Sequence, residues 1–362
     1  MPERGRKISR EISKPSVSAS RETRRRSRRE KRPAELKTKA MDGPVTGKPS
    51  LLQSTYGNVG NFELVVPLAV GGLGHYWRCN DDERLPWEGP LRFGIESGRF
   101  DGVSMIQGDF GDAGNLEIAA VDAEGRAIMH FWRDSGESPA WHGPQIISGK
   151  SSVPLFSGSP ALIWSNLGRR GNFDIVVPRA AGGFSYYWRE NDDPALPWCG
   201  PVNFATEAGT FDAVTMIQSN FGNPGNLELA ARSGDRLVFI WGELSEEAIW
   251  HGPDPIATGV AGVPSMIQST FGNKGHFELV VPLASGGLAY FQRDNDNVDL
   301  SWRGPLMFAM NMGVVEGVSL IQSNFGDPGH LELVAQVDGH LAFFWRDSGP
   351  DFRWNGPQYL TR

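Results

Sequence analysis

Downstream of residue 50 the apolar residues fall at every second position over short runs, and each run is closed by Gly, Asn, Asp or Pro. A period of two marks a strand with one covered face, whereas a helix would space its apolar residues by three or four. In the last stretch of the chain the pattern predicts four short strands, near Val318–Ser323, Leu331–Gln336, Leu341–Arg346 and Asn355–Leu360. The Gly- and Asp-rich segments between them read as turns.

The same four-strand pattern recurs six times. Each copy begins near Ile/Leu-Gln-Ser, passes a Gly-rich turn into Asn/His-Leu/Phe-Glu-Leu/Ile, continues through an aromatic-Trp-Arg strand and reaches Trp-x-Gly-Pro. The acid of the second strand falls at Glu63, Glu117, Asp174, Glu228, Glu278 and Glu332, with gaps of 54, 57, 54, 50 and 54 residues. The Trp of the third strand falls at Trp77, Trp132, Trp188, Trp241 and Trp345, with Gln292 in the fifth copy; the last motif starts at Trp87, Trp141, Trp198, Trp250, Trp302 and Trp354. Eleven of the 12 tryptophans thus occupy two columns, and the twelfth, Trp164, stands in a Gln column formed by Gln53, Gln107, Gln218, Gln268 and Gln322.

Four strands repeated at about 50 residues are the pattern of a β-propeller. The fold expected is all-β: one six-bladed propeller over residues 50–362, with repeats near 50–102, 103–158, 159–213, 214–262, 263–317 and 318–362. A single four-stranded sheet cannot cover both its faces, so the apolar residues must meet between blades. Trp-x-Gly-Pro is expected to end the outer strand, since Pro lacks a donor and suits a sheet edge. The Gln column is expected on the inner strand, bonding between adjacent blades.

The copies also alternate. Copies one, three and five carry Val-Val-Pro and, after the Arg, Asn80-Asp81, Asn191-Asp192 and Asn295-Asp296. Copies two and six carry Asp134-Ser135-Gly136 and Asp347-Ser348-Gly349 instead, and copy four replaces the Arg by Gly242. The unit of duplication is therefore a pair of repeats.

Charge divides the chain differently. Residues 1–50 carry 16 Lys/Arg against 6 Asp/Glu, net +10; the rest carries 19 against 36, net −17. Residues 1–49 hold few large apolar side chains and read as a disordered basic tail, densest at Arg24-Arg25-Arg26-Ser27-Arg28-Arg29-Glu30-Lys31-Arg32. Such a tail is either a solvated extension or a patch for nucleic acid or another polyanion, with nuclear import as one use. Met41, just ahead of the first repeat, is a second candidate start, which would place residues 1–40 outside the mature protein. The acidic propeller itself is a poor nucleic-acid surface. No apolar stretch has the roughly 18 residues of a membrane span, and no secretory leader is visible. Cytoplasmic residence or non-classical export are the localisations left. The two cysteines, Cys79 and Cys199, sit at unrelated repeat positions and build neither a disulfide framework nor a metal site.

The turn between the first two strands reads Asp109-Phe110-Gly111-Asp112-Ala113-Gly114-Asn115-Leu116-Glu117 in copy two and Asn220-Phe221-Gly222-Asn223-Pro224-Gly225-Asn226-Leu227-Glu228 in copy four. It resembles the FG-GAP, integrin-type propeller repeat, whose calcium loop is Asp-Phe-Asn-Gly-Asp-Gly-x-x-Asp. The first polar residue, the Phe, the second Gly and the ninth-position acid are kept, but ligand positions three and five are not. The resemblance implies a propeller; calcium, the one cofactor considered, would have Asp109, Asp112 and Glu117 as its best remaining ligands. The later half of each unit, Phe-Trp-Arg-Asp followed by Trp-x-Gly-Pro, also resembles propeller lectins of the tachylectin and fucose-lectin kind. That resemblance implies sugar pockets between blades.

The residues themselves give the candidate chemistry. A sugar needs an aromatic face for its C–H side and charged groups for its hydroxyls. The repeat supplies these at Trp77, Arg78 and Asp81; Trp132, Arg133 and Asp134; Trp188, Arg189 and Asp192; Arg293, Asp294 and Asp296; and Trp345, Arg346 and Asp347. The structural reading beside it pairs each Arg with a repeated Glu and puts each Trp in the core. The seven histidines show no metal-ligand spacing, and no nucleophile elbow, P-loop or dinucleotide fingerprint is present. The expected function is non-catalytic, multivalent carbohydrate binding between blades. The alternatives are a protein-interaction scaffold and, on the asymmetric residues Trp164, Arg169 and Arg170, an enzyme at the channel mouth.

Overall fold

A computed structural model of the chain describes residues 44–136, 139–244, 248–348 and 353–360. They form six four-stranded antiparallel sheets, each built from four consecutive strands in simple up-and-down order. Blade 1 runs through Ser50–Gln53, Phe62–Pro67, Leu73–Arg78 and Trp87–Phe93, and blade 2 through Phe100–Gln107, Leu116–Asp122, Ile128–Arg133 and Trp141–Ile146. Blade 3 has Ala161–Trp164, Phe173–Pro178, Phe184–Arg189 and Trp198–Phe204; blade 4 has Ala213–Gln218, Leu227–Ser233, Arg236–Glu243 and Ile249–Thr258. Blade 5 has Ser265–Gln268, Phe277–Pro282, Leu288–Arg293 and Trp302–Phe308; blade 6 has Val315–Gln322, Leu331–Val337, His340–Arg346 and Trp354–Tyr359. The predicted six-bladed all-β propeller is the fold observed.

Burial follows the strand order. The second strand of blade 1, Phe-Glu-Leu-Val-Val-Pro, is buried at every position, while its fourth strand is mostly exposed. The core lies between blades. One cluster joins Val65, Leu73 and Phe93 of blade 1 to Phe100, Met105, Ile118 and Phe131 of blade 2. Another joins Phe62, Leu64 and Tyr76 of blade 1 to Val334, Leu341 and Phe343 of blade 6, and so closes the ring without exchanging a strand.

The alternation of the copies has a packing basis. On the odd-to-even joints a Phe ending the outer strand stacks flat on the next blade's Trp: Phe93 on Trp141 at 4.0 Å, Phe204 on Trp250 at 3.7 Å and Phe308 on Trp354 at 4.6 Å. Across two even-to-odd joints the Trp meets its neighbour edge-on, Trp87 against Phe343 at 65° and Trp302 against Phe239 at 68°.

Adjacent inner strands are tied by amide clamps. At five of the six joints the column Gln accepts the backbone N–H of a residue in the preceding blade and donates to that residue's side chain. Gln53 does so with Asn324 (2.9 and 2.7 Å), Gln107 with Thr55, Gln218 with Asn166, Gln268 with Asn220 and Gln322 with Thr270. Inner-strand hydroxyls add a second set: Ser50, Ser104, Thr215, Ser265 and Ser319 each accept a backbone N–H from the following blade.

Two boundaries differ from expectation. Trp-x-Gly-Pro opens the outer strand rather than ending it, because Trp87 pairs with Arg78, the last residue of the third strand. The Gly is needed there: Gly89 has φ +105°, and a Cβ on it would lie 2.6 Å from the His75 carbonyl oxygen. Second, Pro44–Lys48 packs as part of the propeller, although the sequence reading placed it in the tail. The Val45 N–H donates to Gly339 of blade 6, the Thr46 N–H to Pro67 of blade 1, and the Lys48 N–H to Asp101 of blade 2. Val45 is a buried apolar residue there; that single side chain, inside a polar stretch, is too little to register as a pattern. The basic segment over residues 1–43 lies outside the described residues.

Candidate functional site at the blade joints

The acid column is buried in all six blades, at 0–3% exposure. Isolated buried carboxylates are costly, so each needs partners. Within blades 1 and 2 the acid meets a His on the next strand: His75 Nε2 lies 2.7 Å from Glu63, and His130 Nε2 lies 2.7 Å from Glu117. In blades 3 and 5 a Tyr takes that place, Tyr186 donating to Asp174 and Tyr290 to Glu278. In blades 4 and 6 the place is held by Phe239 and Phe343. The Ser following the column Gln adds a hydroxyl donor, as from Ser54 to Glu63 and Ser219 to Glu228.

The column arginines reach across the joints to the preceding blade. Arg189 Nη1 of blade 3 lies 3.7 Å from Glu117 of blade 2. Arg293 of blade 5 feels the charge of Glu228 in blade 4, and Arg133 of blade 2 lines a cleft with Glu63 of blade 1. Several guanidinium groups stand over aromatic rings, Arg78 at 3.9 Å from the Phe62 centroid, Arg189 at 4.0 Å from Phe173 and Arg293 at 3.9 Å from Phe277. Burial pulls Arg189 and Arg293 below their ordinary pKa.

The Asn-Asp pairs of odd blades hold this arrangement. Asn80, Asn191 and Asn295 accept from the Nε of Arg78, Arg189 and Arg293 at 2.7–2.9 Å and donate to loop carbonyls. The following Asp clamps its own blade's first loop: Asp81 accepts the N–H groups of Asn58 and Val59, Asp192 those of Arg169 and Arg170, Asp296 those of Asn273 and Lys274. These bonds hold the Asp81 and Asp296 carboxyls below the usual range.

The remaining predicted residues have other partners. His142 Nε2 lies 2.5 Å from Asp134, and His330 Nδ1 lies 3.6 Å from Asp347. Asp294 lies between His276 (3.6 Å) and Arg303 (3.3 Å). Trp132 stacks between His130 and His142, Trp188 on Tyr186 and Trp345 on Phe343. Arg346 is buried, with its guanidinium 4.6 Å from the Tyr290 centroid.

The joint between blades 1 and 2 is open. It holds a cleft of about 430 Å³ lined by Tyr56, Asn61, Glu63 and Trp77 on one side and Arg133 and Ser135 on the other. Blade 2 has Ser135 where odd blades have the Asn that holds the Arg; blade 6 has the same Ser, Ser348, but there Arg346 is buried against Tyr290. Arg133 is half-buried, with a buried Nε that has no hydrogen-bond partner, whereas Arg78, Arg189, Arg293 and Arg346 are buried. Tyr56 borders the guanidinium at 5.8 Å and donates its hydroxyl to Gly114. The column reading picked out Trp77 and Arg133 but not Tyr56, Asn61 or Ser135. The signal for Tyr56 was available: its column otherwise reads Phe110, Leu167, Phe221, Phe271 and Phe325.

The joint between blades 3 and 4 is the opposite case. Gly242 replaces the Arg, and the Trp250 ring fills the space, 2.9 Å from where a Cβ on Gly242 would stand. Asp174 therefore faces no cation, and burial pushes its carboxyl up to about 6.

For metal, Asp109, Asp112 and Glu117 do not converge. Asp109 accepts from Arg170 Nε at 3.1 Å and Glu117 pairs with His130. Among the described residues, the His, Cys, Asp and Glu atoms that come within 4.8 Å of one another in a group of three are those of His276, Asp294 and Asp296. No helix among the described residues is long and apolar enough to cross a membrane.

No family model matches the sequence, and no curated protein does either. The integrin-type resemblance thus rests on the loop residues alone. Solved structures do match. A lectin from Burkholderia pseudomallei is 21% identical, with a TM-score of 0.57 over 86% of this chain and 84% of that one. The Aleuria aurantia lectin, a six-bladed propeller solved for its fucose recognition, is 12% identical, with a TM-score of 0.62 over 89% and 99%. The intramolecular trans-sialidase of Ruminococcus gnavus is 11% identical, with a TM-score of 0.53 over 81% and 90%. At these identities the likeness shows the fold: the chain is built as a propeller of the kind that these lectins share.

Proposed function

We propose that the protein is a non-catalytic carbohydrate-binding protein whose principal ligand site is the cleft between blades 1 and 2. The observation that carries this reading is the convergence of two aromatic rings, Tyr56 and Trp77, with Glu63 and Arg133 around one cleft of about 430 Å³. The volume suits one or two sugar rings. Trp77 offers the C–H face of a sugar its π surface. Arg133, half-buried at the cleft wall, brings guanidinium donors for hydroxyls, and the buried Glu63 lines the floor with its negative charge. The lectins of like fold support a sugar as ligand, and the Aleuria aurantia lectin recognises fucose and was solved with α-methyl-L-fucoside, so fucosylated oligosaccharides come first in any panel. The other joints either bury the Arg or, between blades 3 and 4, lack it, so binding there would be weaker.

A glycan array on the purified propeller, followed by calorimetric titration of the hits, tests the proposal. Trp77→Ala and Arg133→Ala are each expected to weaken binding about tenfold or more, roughly the loss of one good contact. Arg293→Lys, at a closed joint, is expected to leave it within about twofold. Absence of any glycan hit, or hits indifferent to Trp77 and Arg133, would overturn it.

A further inference from the structure

Blade 3 breaks the ring of amide clamps. Where five blades have a half-buried Gln, it has Trp164, which is 42% exposed. The joint to blade 2 does not depend on that residue. Arg170 closes it instead, with Nε 3.1 Å from Asp109 Oδ2 and its guanidinium 4.2 Å from the Phe110 centroid. Trp164 is thereby released from the role its column plays elsewhere.

Its ring is nevertheless held in place. The indole Nε1 donates to the Arg170 carbonyl at 2.9 Å, and the ring lies over Gly171, where an added Cβ would fall 2.4 Å from Nε1. A fixed indole keeping a large share of its surface in water costs little entropy to bind against. The next loop residue supplies charge. The Arg169 side chain is 84% exposed; its backbone N–H is anchored on Asp192, and its Nε stands 3.7 Å from Asp192 Oδ1. Arg170 is taken up by Asp109, whereas Arg169 meets Asp192 only at 3.7 Å and keeps most of its side chain in water, free to exchange that partner for a ligand carboxylate.

We propose that Trp164 and Arg169 form a second ligand platform, separate from the cleft between blades 1 and 2, that takes a hexuronic acid unit of an acidic oligosaccharide. The C–H face of the pyranose stacks on the indole, and the carboxylate pairs with the exposed guanidinium. The platform stands whether or not that cleft binds sugar.

Trp164→Gln is the deciding variant, since it restores the clamp residue used at the other joints and so preserves the fold. Binding of oligogalacturonate is followed by calorimetry and by tryptophan fluorescence at low and high salt. Trp164→Gln is expected to lose at least tenfold in affinity at unchanged or higher thermal stability. Arg169→Ala should lose several-fold and flatten the salt dependence, and the methyl-esterified oligomer should bind as weakly to the parent protein. Arg133→Ala, in the other cleft, should leave oligogalacturonate binding unchanged. The platform is refuted by an absence of oligogalacturonate binding, by equal affinity of Trp164→Gln, or by loss of binding in Arg133→Ala.

Discussion

Asp174 is a buried acid without a counter-charge, and its removal should stabilise the protein in a pH-dependent way. Its own blade offers the Tyr186 hydroxyl and Ser165, and across the joint stand Gly242 and the Trp250 ring, none of them charged. One carboxylate oxygen, Oδ2, has no hydrogen-bond partner. Burial raises the carboxyl from 3.8 to about 6. At 1.36 kcal/mol per unit, the charged form costs the fold about 3 kcal/mol. Between the two pKa values the folded state binds more protons than the unfolded one, so stability falls as pH rises through that window. The penalty is absent below the unfolded value and complete above about 6. Asp174→Asn keeps the shape and the acceptor for Tyr186 but carries no charge. It should match the parent protein near pH 3.5 and exceed it by up to about 3 kcal/mol at pH 7. Urea unfolding of both proteins across that range measures the difference directly, since all other titrating groups are shared. Parallel pH profiles, or a variant less stable at pH 7, would refute the account.

Two further tests concern the segment ahead of blade 1. Lys48 is 6% exposed where the inner strands of blades 1, 2 and 6 meet, and burial lowers its pKa from 10.5 to about 8. The folded state holds fewer protons in that interval, so stability should rise with pH there; Lys48→Met should gain up to about 3 kcal/mol at pH 7 and nothing above pH 10.5, read from guanidinium melts. Val45 joins the core shared by blades 6 and 1, and Val45→Ala should cost about 2 kcal/mol in the same assay. A loss within error would mean that Pro44–Lys48 does not help close the ring.

The strand period, the two Trp columns and the paired duplication were legible in the sequence because they are local and repeated six times. A side chain's alternation on a strand is set within a few residues, and repetition removes the ambiguity of any single run. The amide clamps were legible for the same reason, as one Gln in each of five blades. The candidate site was legible only in outline. Every blade but the fourth ends its third strand in an Arg, yet how deeply that Arg is held depends on side chains of both blades at the joint: Asn80 bonds Arg78, while Arg133 has Ser135 and is half-buried, and Arg346 has Ser348 but is buried against Tyr290 of the preceding blade. The cleft is also shared between consecutive repeats: Tyr56, Glu63 and Trp77 come from one blade and Arg133 from the next. Reading each repeat as its own site joins Trp77 to Arg78, whereas the packed ring gives Trp77 the next blade's Arg133. Residue types and spacing were set along the chain; partners, openness and the charge state of Asp174 were decided between blades, where burial and the neighbouring repeat act together.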